Sequence, residues 1–96
     1  MQEIIQTEVF REWLVALRDR RARERILERI TRLALGNSGQ HRVLSGGLAE
    51  MKIDVGPGYR VYYVRRGAIV IILLCGGNKA TQQDDIALAL ELSKQC

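Results

Sequence analysis

The stretch from Glu50 to Gly77, EMKIDVGPGYRVYYVRRGAIVIILLCGG, decides the fold of this chain, and Asn78 and Lys79 follow it directly. From residue 49 to residue 55 every second residue is apolar, and charged residues occupy the alternate positions (Glu50, Lys52 and Asp54). This alternation is typical of a strand with one buried face. The Gly56-Pro57-Gly58 sequence after it predicts a turn, with a bulge or a longer loop between the two strands.

A second strand is predicted from Tyr59 to Arg65, and it contains two candidate functional residues. Tyr59, Val61 and Tyr63 alternate there with Arg60, Tyr62 and Val64, so Arg60 and Tyr62 share one face. Arg65-Arg66-Gly67 then turns the chain into an apolar run from Ala68 to Cys75, which predicts a central strand buried on both faces. An arginine and a tyrosine on one face of a basic sheet favour phosphate binding.

The segments on either side predict helices and one more strand. Residues 2–6 indicate a short edge strand. Thr7 and Asp19 are suitable caps for two amphipathic helices, the second of which ends at Gly36. A third helix is predicted from Thr81, where Thr81 and Asp84 resemble a capping box. The order favours an α+β fold, in which an N-terminal helical hairpin and a C-terminal helix pack on an antiparallel sheet. The length of 96 residues predicts a single domain over residues 1–96.

The helical hairpin presents a set of arginines whose role the sequence leaves open. We place Arg20, Arg21, Arg25, Arg29 and Arg32 on its outer face, with Glu24 and Glu28 among them. Such a face is either a solvated surface with i,i+4 ion pairs or a contact surface for nucleic acid or an antitoxin.

Composition limits the function classes. The formal net charge of +4, with 47% hydrophobic residues, indicates a folded domain that favours an acidic or polyanionic partner. No basic and apolar leader opens the chain and no apolar run is long enough to span a bilayer, so we expect a soluble, cytoplasmic protein. Cys75 and Cys96 are expected to be free thiols, and their spacing predicts no metal site.

The chain resembles a known family over nearly its whole length. The segments FREWLVALRDRRARERILERITRLALGN, EMKIDVGPGYRVYYVRRG and LLCGGNKATQQDDI, with the spacing between them, are similar to the HigB-like addiction-module killer proteins of the RelE/ParE superfamily. The resemblance implies a helical hairpin on one face of the sheet and a working surface on the opposite, concave face. It also implies cleavage of messenger RNA, in many relatives on the ribosome.

The implied reaction is attack of a ribose 2′-hydroxyl on the adjacent phosphate, which needs proton transfer and neutralisation of charge. By resemblance, Arg60 is the phosphate-binding arginine, Lys52 and Lys79 are basic catalytic candidates, and Tyr62 is a hydrogen-bonding or stacking candidate. Arginine is always protonated, so proton transfer is assigned to Lys52 or Lys79. We expect no cofactor and no metal, because the 2′-hydroxyl is the nucleophile. Further RNA contacts are expected from the remaining nearby arginines, Arg42, Arg65 and Arg66.

Several residues depart from the family pattern or admit a structural role. The C-terminal segment has Gln82 and Gln83 where some relatives have a catalytic tyrosine or histidine. His41, the single histidine, is interpreted as a surface residue without a role. Tyr62 is equally consistent with cross-strand packing, and Glu50 and Asp54 could pair with the basic residues internally.

The resemblance implies a helix-turn-helix antitoxin (HigA-like) as the partner, messenger RNA as the substrate and no membrane partner. Two other hypotheses remain. The chain could be a ParE-like gyrase poison without catalytic residues, or a module that binds its antitoxin and has lost toxicity.

Overall fold

The computed structural model describes residues 1–96 and has a five-stranded sheet at its centre. The strands are β1 (Glu3–Gln6), β2 (His41–Val43), β3 (Ala49–Ile53), β4 (Tyr59–Arg66) and β5 (Val70–Asn78), in the spatial order β1-β5-β4-β3-β2. The pairs from β2 to β5 are antiparallel, and the three consecutive strands predicted from the sequence are β3, β4 and β5. The predicted edge strand is present as β1, but it runs parallel to β5 because helices and strands intervene between the two. The sheet is therefore mixed within the predicted α+β class.

Three helices cover the sheet on both faces: α1 (Glu8–Ala16), α2 (Arg20–Ala34) and α3 (Gln82–Gln95). The predicted caps form at the first two, where Thr7 Oγ1 accepts from Phe10 N at 3.0 Å and Asp19 Oδ1 from Ala22 N at 3.1 Å. None of the helices combines the length and the apolar composition that a membrane crossing requires.

A capping box precedes the third helix, but it is not between Thr81 and Asp84 as predicted. A 3-10 turn over Lys79–Thr81 precedes α3, and the reciprocal cap is formed by the side chains of Asn78 and Thr81. The Thr81 hydroxyl donates to Asp85 and not to Asp84. The cap therefore fixes the 3-10 turn, and with it Lys79, at the end of β5.

Two hydrophobic cores lie on opposite faces of the sheet, as strand alternation predicts. The helical hairpin packs on one face, where Phe10, Ile26, Met51, Val61, Tyr63 and Leu73 are central. On the other face α3 covers part of β4 and β5, and the buried residues there include Leu48, Tyr62, Val64, Leu74 and Ala89. The part of this second face that lies over β3 and the start of β4 carries polar and charged residues instead.

A bulge in β5 changes which residues face the helices. Tyr62 pairs with Cys75 and Tyr63 with Leu73, so Leu74 is an extra residue in β5. A Cβ atom at Gly76 would collide with the ring of Trp13, and one at Gly77 would collide with Asp85. These two glycines therefore let β5 pass between α1 on one face and α3 on the other.

Candidate functional site: a basic groove beside the third helix

Two adjoining depressions on the α3 face share Lys52 and Arg60, and we call them together the basic groove. The larger has a volume of about 350 Å³ and the smaller about 190 Å³. The larger part is lined by Gln40, His41, Arg42, Glu50, Lys52, Arg60 and Gln82, and the smaller by Lys52, Asp54, Gly56, Pro57, Gly58, Arg60 and Lys79. The groove thus brings together three of the four predicted catalytic residues, Lys52, Arg60 and Lys79.

Arg60 lies at the centre of the groove with only one intramolecular hydrogen bond. Its Nη1 donates to the carbonyl of Gly58 at 2.9 Å, so the turn between β3 and β4 orients the guanidinium. Gly58 has a φ of +82°, a conformation that favours glycine. The side chain is 9% exposed, and its buried Nε has no hydrogen-bond partner. An unpartnered buried donor on a charged group is costly, and the carboxylate nearest to it is that of Glu50, with Oε2 3.9 Å from Nε.

Lys52 pairs with Arg60 across the two adjacent strands, which places two positive charges opposite each other. Like charges at this position repel. No carboxylate forms an ion pair with Lys52, and the nearest to Arg60 is Glu50, 3.9 Å from Nε to Oε2. The positive pair is therefore incompletely neutralised within the protein, as expected for an anion-binding site.

Lys79 forms the far wall of the smaller depression. The Asn78 side chain accepts from the amides of Ala80 and Thr81, at 2.8 and 3.2 Å, and so holds the 3-10 turn that carries Lys79. Its side chain is exposed and forms no ion pair with the protein. A third cation thus faces the groove from a capped turn.

Glu50 is the buried carboxylate of the groove. Its Oε1 accepts from Arg42 Nε at 2.7 Å and its Oε2 from Gln82 Nε2 at 2.9 Å. Burial alone would raise the pKa of Glu50, but the hydrogen bonds from Arg42 and Gln82 outweigh it, and this pKa lies below its usual value. Glu50 therefore remains ionised and links α3 to β3 and β2. The internal pairing considered for Glu50 forms mainly with Arg42, which leaves Lys52 without a counterion.

Tyr62 does not reach the surface of the groove. It is fully buried beneath α3, and its hydroxyl lies near Glu50 without a hydrogen bond of acceptable geometry. Burial and the neighbouring Glu50 carboxylate raise the pKa of Tyr62 above its usual value. Stacking on a base would require α3 to move, so the packing role is the one that this arrangement supports.

Two of the three predicted RNA-binding arginines lie away from the groove. Arg65 and Arg66 are at the far end of β4, where Arg65 donates to Gln2 at 2.6 Å and Arg66 to the carbonyl of Ser93 at 2.8 Å. A strand rises about 3.3 Å per residue, which puts Arg66 roughly 20 Å from Arg60. Arg42, by contrast, lines the groove.

Sequence reasoning missed the role of Arg29, which was placed on the outer face of the hairpin. Arg29 is only 8% exposed, and its guanidinium donates to the carbonyls of Lys52, Gln40 and Ser38 at 2.7, 3.2 and 3.3 Å. The pKa of Arg29 is lowered mainly by burial and, to a smaller extent, by the positive charges of Arg25 and Arg32. The ion pairs Arg20–Glu24 and Arg32–Glu28 form on the outer face as predicted. A helical arginine that reaches through to the sheet gives no distinctive signal in the sequence.

Gln40, His41 and Gln82 were also not among the predicted site residues, although each lines the groove. His41 was assigned to a surface without a role because its neighbours in the chain are polar and glycine-rich. The pairing of β2 with β3 sets His41 opposite Met51, a residue of the core under the hairpin, so its side chain lies on the other face of the sheet from Lys52 and Arg60.

Comparison with known proteins gives the family of this chain. Residues 12–94 match the family model of the phage-derived Gp49-like proteins (DUF891), and the chain belongs to this family. This family is associated with toxin–antitoxin addiction modules.

A relative from Haemophilus influenzae (strain Rd) is 42% identical over 93 residues, which cover 97% of this chain and 94% of the relative. That relative is described as an uncharacterised protein.

Proposed function

We propose that this protein is the toxin of a type II toxin–antitoxin module and that it cleaves messenger RNA in the basic groove. The observation that carries the proposal is the cross-strand pair of Lys52 and Arg60. Lys52 forms no ion pair, and the carboxylate nearest to Arg60, that of Glu50 at 3.9 Å, already accepts from Arg42 and Gln82. The toxin–antitoxin association of the Gp49-like family supports the biological context.

In the proposed reaction the 2′-hydroxyl of a ribose attacks the adjacent phosphorus while the bond to the 5′-oxygen breaks. The transition state carries additional negative charge on the phosphoryl oxygens. Nη2 of Arg60 makes no hydrogen bond within the protein, and a guanidinium group suits phosphate oxygens. Removal of one such donor from an active site typically lowers the rate about 100- to 1,000-fold.

Lys52 and Lys79 complete the positive surface around the phosphate. Lys52 lies opposite Arg60, and Lys79 flanks the smaller depression, so both can contact a phosphate bound at Arg60. A lysine ammonium can donate a proton to the leaving 5′-oxygen, whereas a guanidinium is a poor donor because it remains protonated. Either lysine therefore qualifies as the general acid.

Other predicted residues act around this centre. Tyr62 packs in the core beneath α3, and Glu50 holds Arg42 at the rim of the larger depression. A nucleotide next to the scissile phosphate would pass Arg42. Arg65 and Arg66 would contact only a longer RNA or a ribosomal surface, since they lie at the other end of β4.

The proposed partner is a helix-turn-helix antitoxin (HigA-like) encoded with the toxin. A groove with unpaired cations offers acidic side chains of such a partner a means of neutralising the toxin. The cleavage is proposed to take place on translating ribosomes, in line with the implied HigB-like relationship.

The test is brief induction of the protein in bacteria, followed by primer-extension mapping of transcript ends with and without an inhibitor of translation initiation. We expect new 5′ ends within coding regions only while ribosomes translate, and none with Arg60→Met. Arg11→Met is the matched control, because it removes the same charge from an exposed ion pair on α1.

Three results would contradict this proposal. Unchanged cleavage by Arg60→Met would exclude the groove as the active site. DNA breaks with intact transcripts would favour a gyrase poison. Normal growth with abundant folded protein would favour an antitoxin-binding module without toxicity.

A further inference from the structure

The sheet has an open edge at β2, beside the basic groove. β2 is the last strand in the spatial order and pairs with β3 alone. All of its residues are exposed, and Val43 is 72% exposed. An edge strand is often protected from pairing with other chains by a proline or a bulge, and β2 has neither. Its outer side is therefore accessible to another strand.

The hydrogen bonds beside β2 show which of its backbone groups face outward. The amide of Lys52 donates to the carbonyl of Gln40 at 3.0 Å, and the amide of Leu44 donates to the carbonyl of Leu48 at 2.6 Å. Hydrogen-bonded and non-hydrogen-bonded pairs alternate along an antiparallel ladder. In the register that joins these two contacts, Arg42 also directs its backbone groups towards β3.

His41 and Val43 lie between these positions, so their amide and carbonyl groups point away from the sheet. None of these four groups makes a hydrogen bond within the protein. They recur at every second residue, which is the spacing at which paired strands exchange hydrogen bonds. β2 thus presents two donors and two acceptors in the arrangement that an added strand uses.

Arg42 lies between the two outward-facing residues, and its side chain is on the groove face of the sheet. Its Nε donates to Glu50 at 2.7 Å, whereas its Nη1 and Nη2 make no hydrogen bond within the protein. The side chain is 57% exposed. A residue of an added antiparallel strand directly opposite Arg42 would form a non-hydrogen-bonded pair, in which the two Cα atoms are about 4.5 Å apart. A carboxylate at that position would meet the free end of the guanidinium.

These groups favour a peptide over RNA, and a different protein over a second copy of the chain. RNA phosphates accept hydrogen bonds but do not donate them, so they would leave the outward carbonyls of His41 and Val43 without partners. When two copies of β2 pair through all four outward groups, Arg42 faces its own counterpart, and like charges at this position repel. The net charge of +4 also favours an acidic partner.

We propose that the outer edge of β2 binds an extended acidic segment of a partner protein as an additional antiparallel strand. The segment places an acidic residue opposite Arg42, at the rim of the groove, and an apolar residue beside Val43 on the other face. Main-chain bonds to His41 and Val43 give affinity, and the acidic residue selects the partner. The proposal goes beyond the proposed function and holds whether or not the groove cleaves RNA.

Amide exchange measured by NMR tests the edge directly. In the free protein we expect the amides of His41 and Val43 to exchange much faster than the amide of Arg42. The probe is the peptide Thr-Ser-Ser-Val-Glu-Val-Ser-Ser-Thr, blocked at both ends. At millimolar concentration it should slow exchange at His41 and Val43, and replacement of its glutamate by lysine should weaken binding about tenfold.

Val43→Pro removes an outward donor without breaking a hydrogen bond of the protein. Proline is tolerated on an edge strand where the N–H would face solvent, so this variant should fold as stably as Val43→Ala. Val43→Ala is the matched control, because it shortens the same side chain and keeps the N–H. We expect Val43→Ala to bind the peptide within about threefold of the parent protein and Val43→Pro to bind it about tenfold more weakly.

Three results would overturn the proposal. Protection of the Val43 amide in the free protein, equal to that of Arg42, would do so even if Val43→Pro did not fold. Equal binding of the peptide by Val43→Pro and Val43→Ala would show that the edge is not the binding site. If a 2′-O-methyl RNA slows exchange at these amides and the peptide does not, the edge belongs to a nucleic-acid surface and the proposal is wrong.

Discussion

Replacement of Arg29 by methionine tests the interior support of the groove. Methionine fills a similar volume but removes the three hydrogen bonds to the carbonyls of Lys52, Gln40 and Ser38. The 2.7 Å bond to Lys52 joins a charged donor to a carbonyl and is worth about 1.5–3 kcal/mol, and each longer bond adds roughly 0.5–1 kcal/mol. We therefore expect Arg29→Met to lower the free energy of unfolding by about 3 kcal/mol.

For a domain of this size such a loss corresponds to a fall in Tm of roughly 12–24 °C, which thermal or urea unfolding measures easily. Arg25→Met is the matched control, because Arg25 lies one turn earlier on the same helix and makes only a half-exposed ion pair with Glu28. Surface pairs of this kind contribute about 0.3–0.5 kcal/mol.

Equal unfolding temperatures for Arg29→Met and Arg25→Met would contradict this expectation. Amide exchange supplies a second measurement. The amide of Lys52 donates to the carbonyl of Gln40 at 3.0 Å, and the same carbonyl accepts from Arg29. In Arg29→Met the free energy of exchange protection of the Lys52 amide should therefore fall by more than the global free energy of unfolding.

Three further predictions concern stability and reactivity. The pKa of Glu50 is lower in the folded than in the unfolded protein. Its contribution to the free energy of unfolding is therefore fully present above the unfolded-state pKa of about 4.3 and is lost as the pH falls through the folded-state pKa. Glu50→Gln should accordingly lose less stability than the parent protein in urea titrations between pH 6 and 2. A steeper acid transition in that variant would contradict the assignment. Gly76→Ala should lower stability by about 1–3 kcal/mol because the methyl group collides with Trp13, and unchanged unfolding would show that β5 and α1 are not in close contact. Burial and the nearby Asp85 raise the pKa of Cys75 to about 12, so iodoacetamide at pH 8 should modify only the exposed Cys96. If mass spectrometry finds Cys75 alkylated in the folded protein, Cys75 is not buried.

Much of the fold was accessible from local pattern. Alternation along residues 49–55 and 59–65 assigned each residue to the correct face of the sheet, because successive side chains of a strand point in opposite directions. Thr7 and Asp19 marked helix starts correctly because a cap depends on only three or four consecutive residues. At the third helix the capping box lay three residues earlier in the chain than predicted, since Asn78, Thr81 and Asp84 offered competing local signals.

The sequence by itself determined the α+β class and the shared face of Lys52 and Arg60, since these follow from periodicities of a few residues. Tertiary packing decided what surrounds that pair. The third helix buries Tyr62, the helical hairpin directs Arg29 through to the sheet, and the approach of β2 to β3 brings Gln40 beside Lys52 at the groove. These contacts join residues that lie 10 to 30 positions apart, and their geometry is set by how helices and strands pack and not by any local pattern.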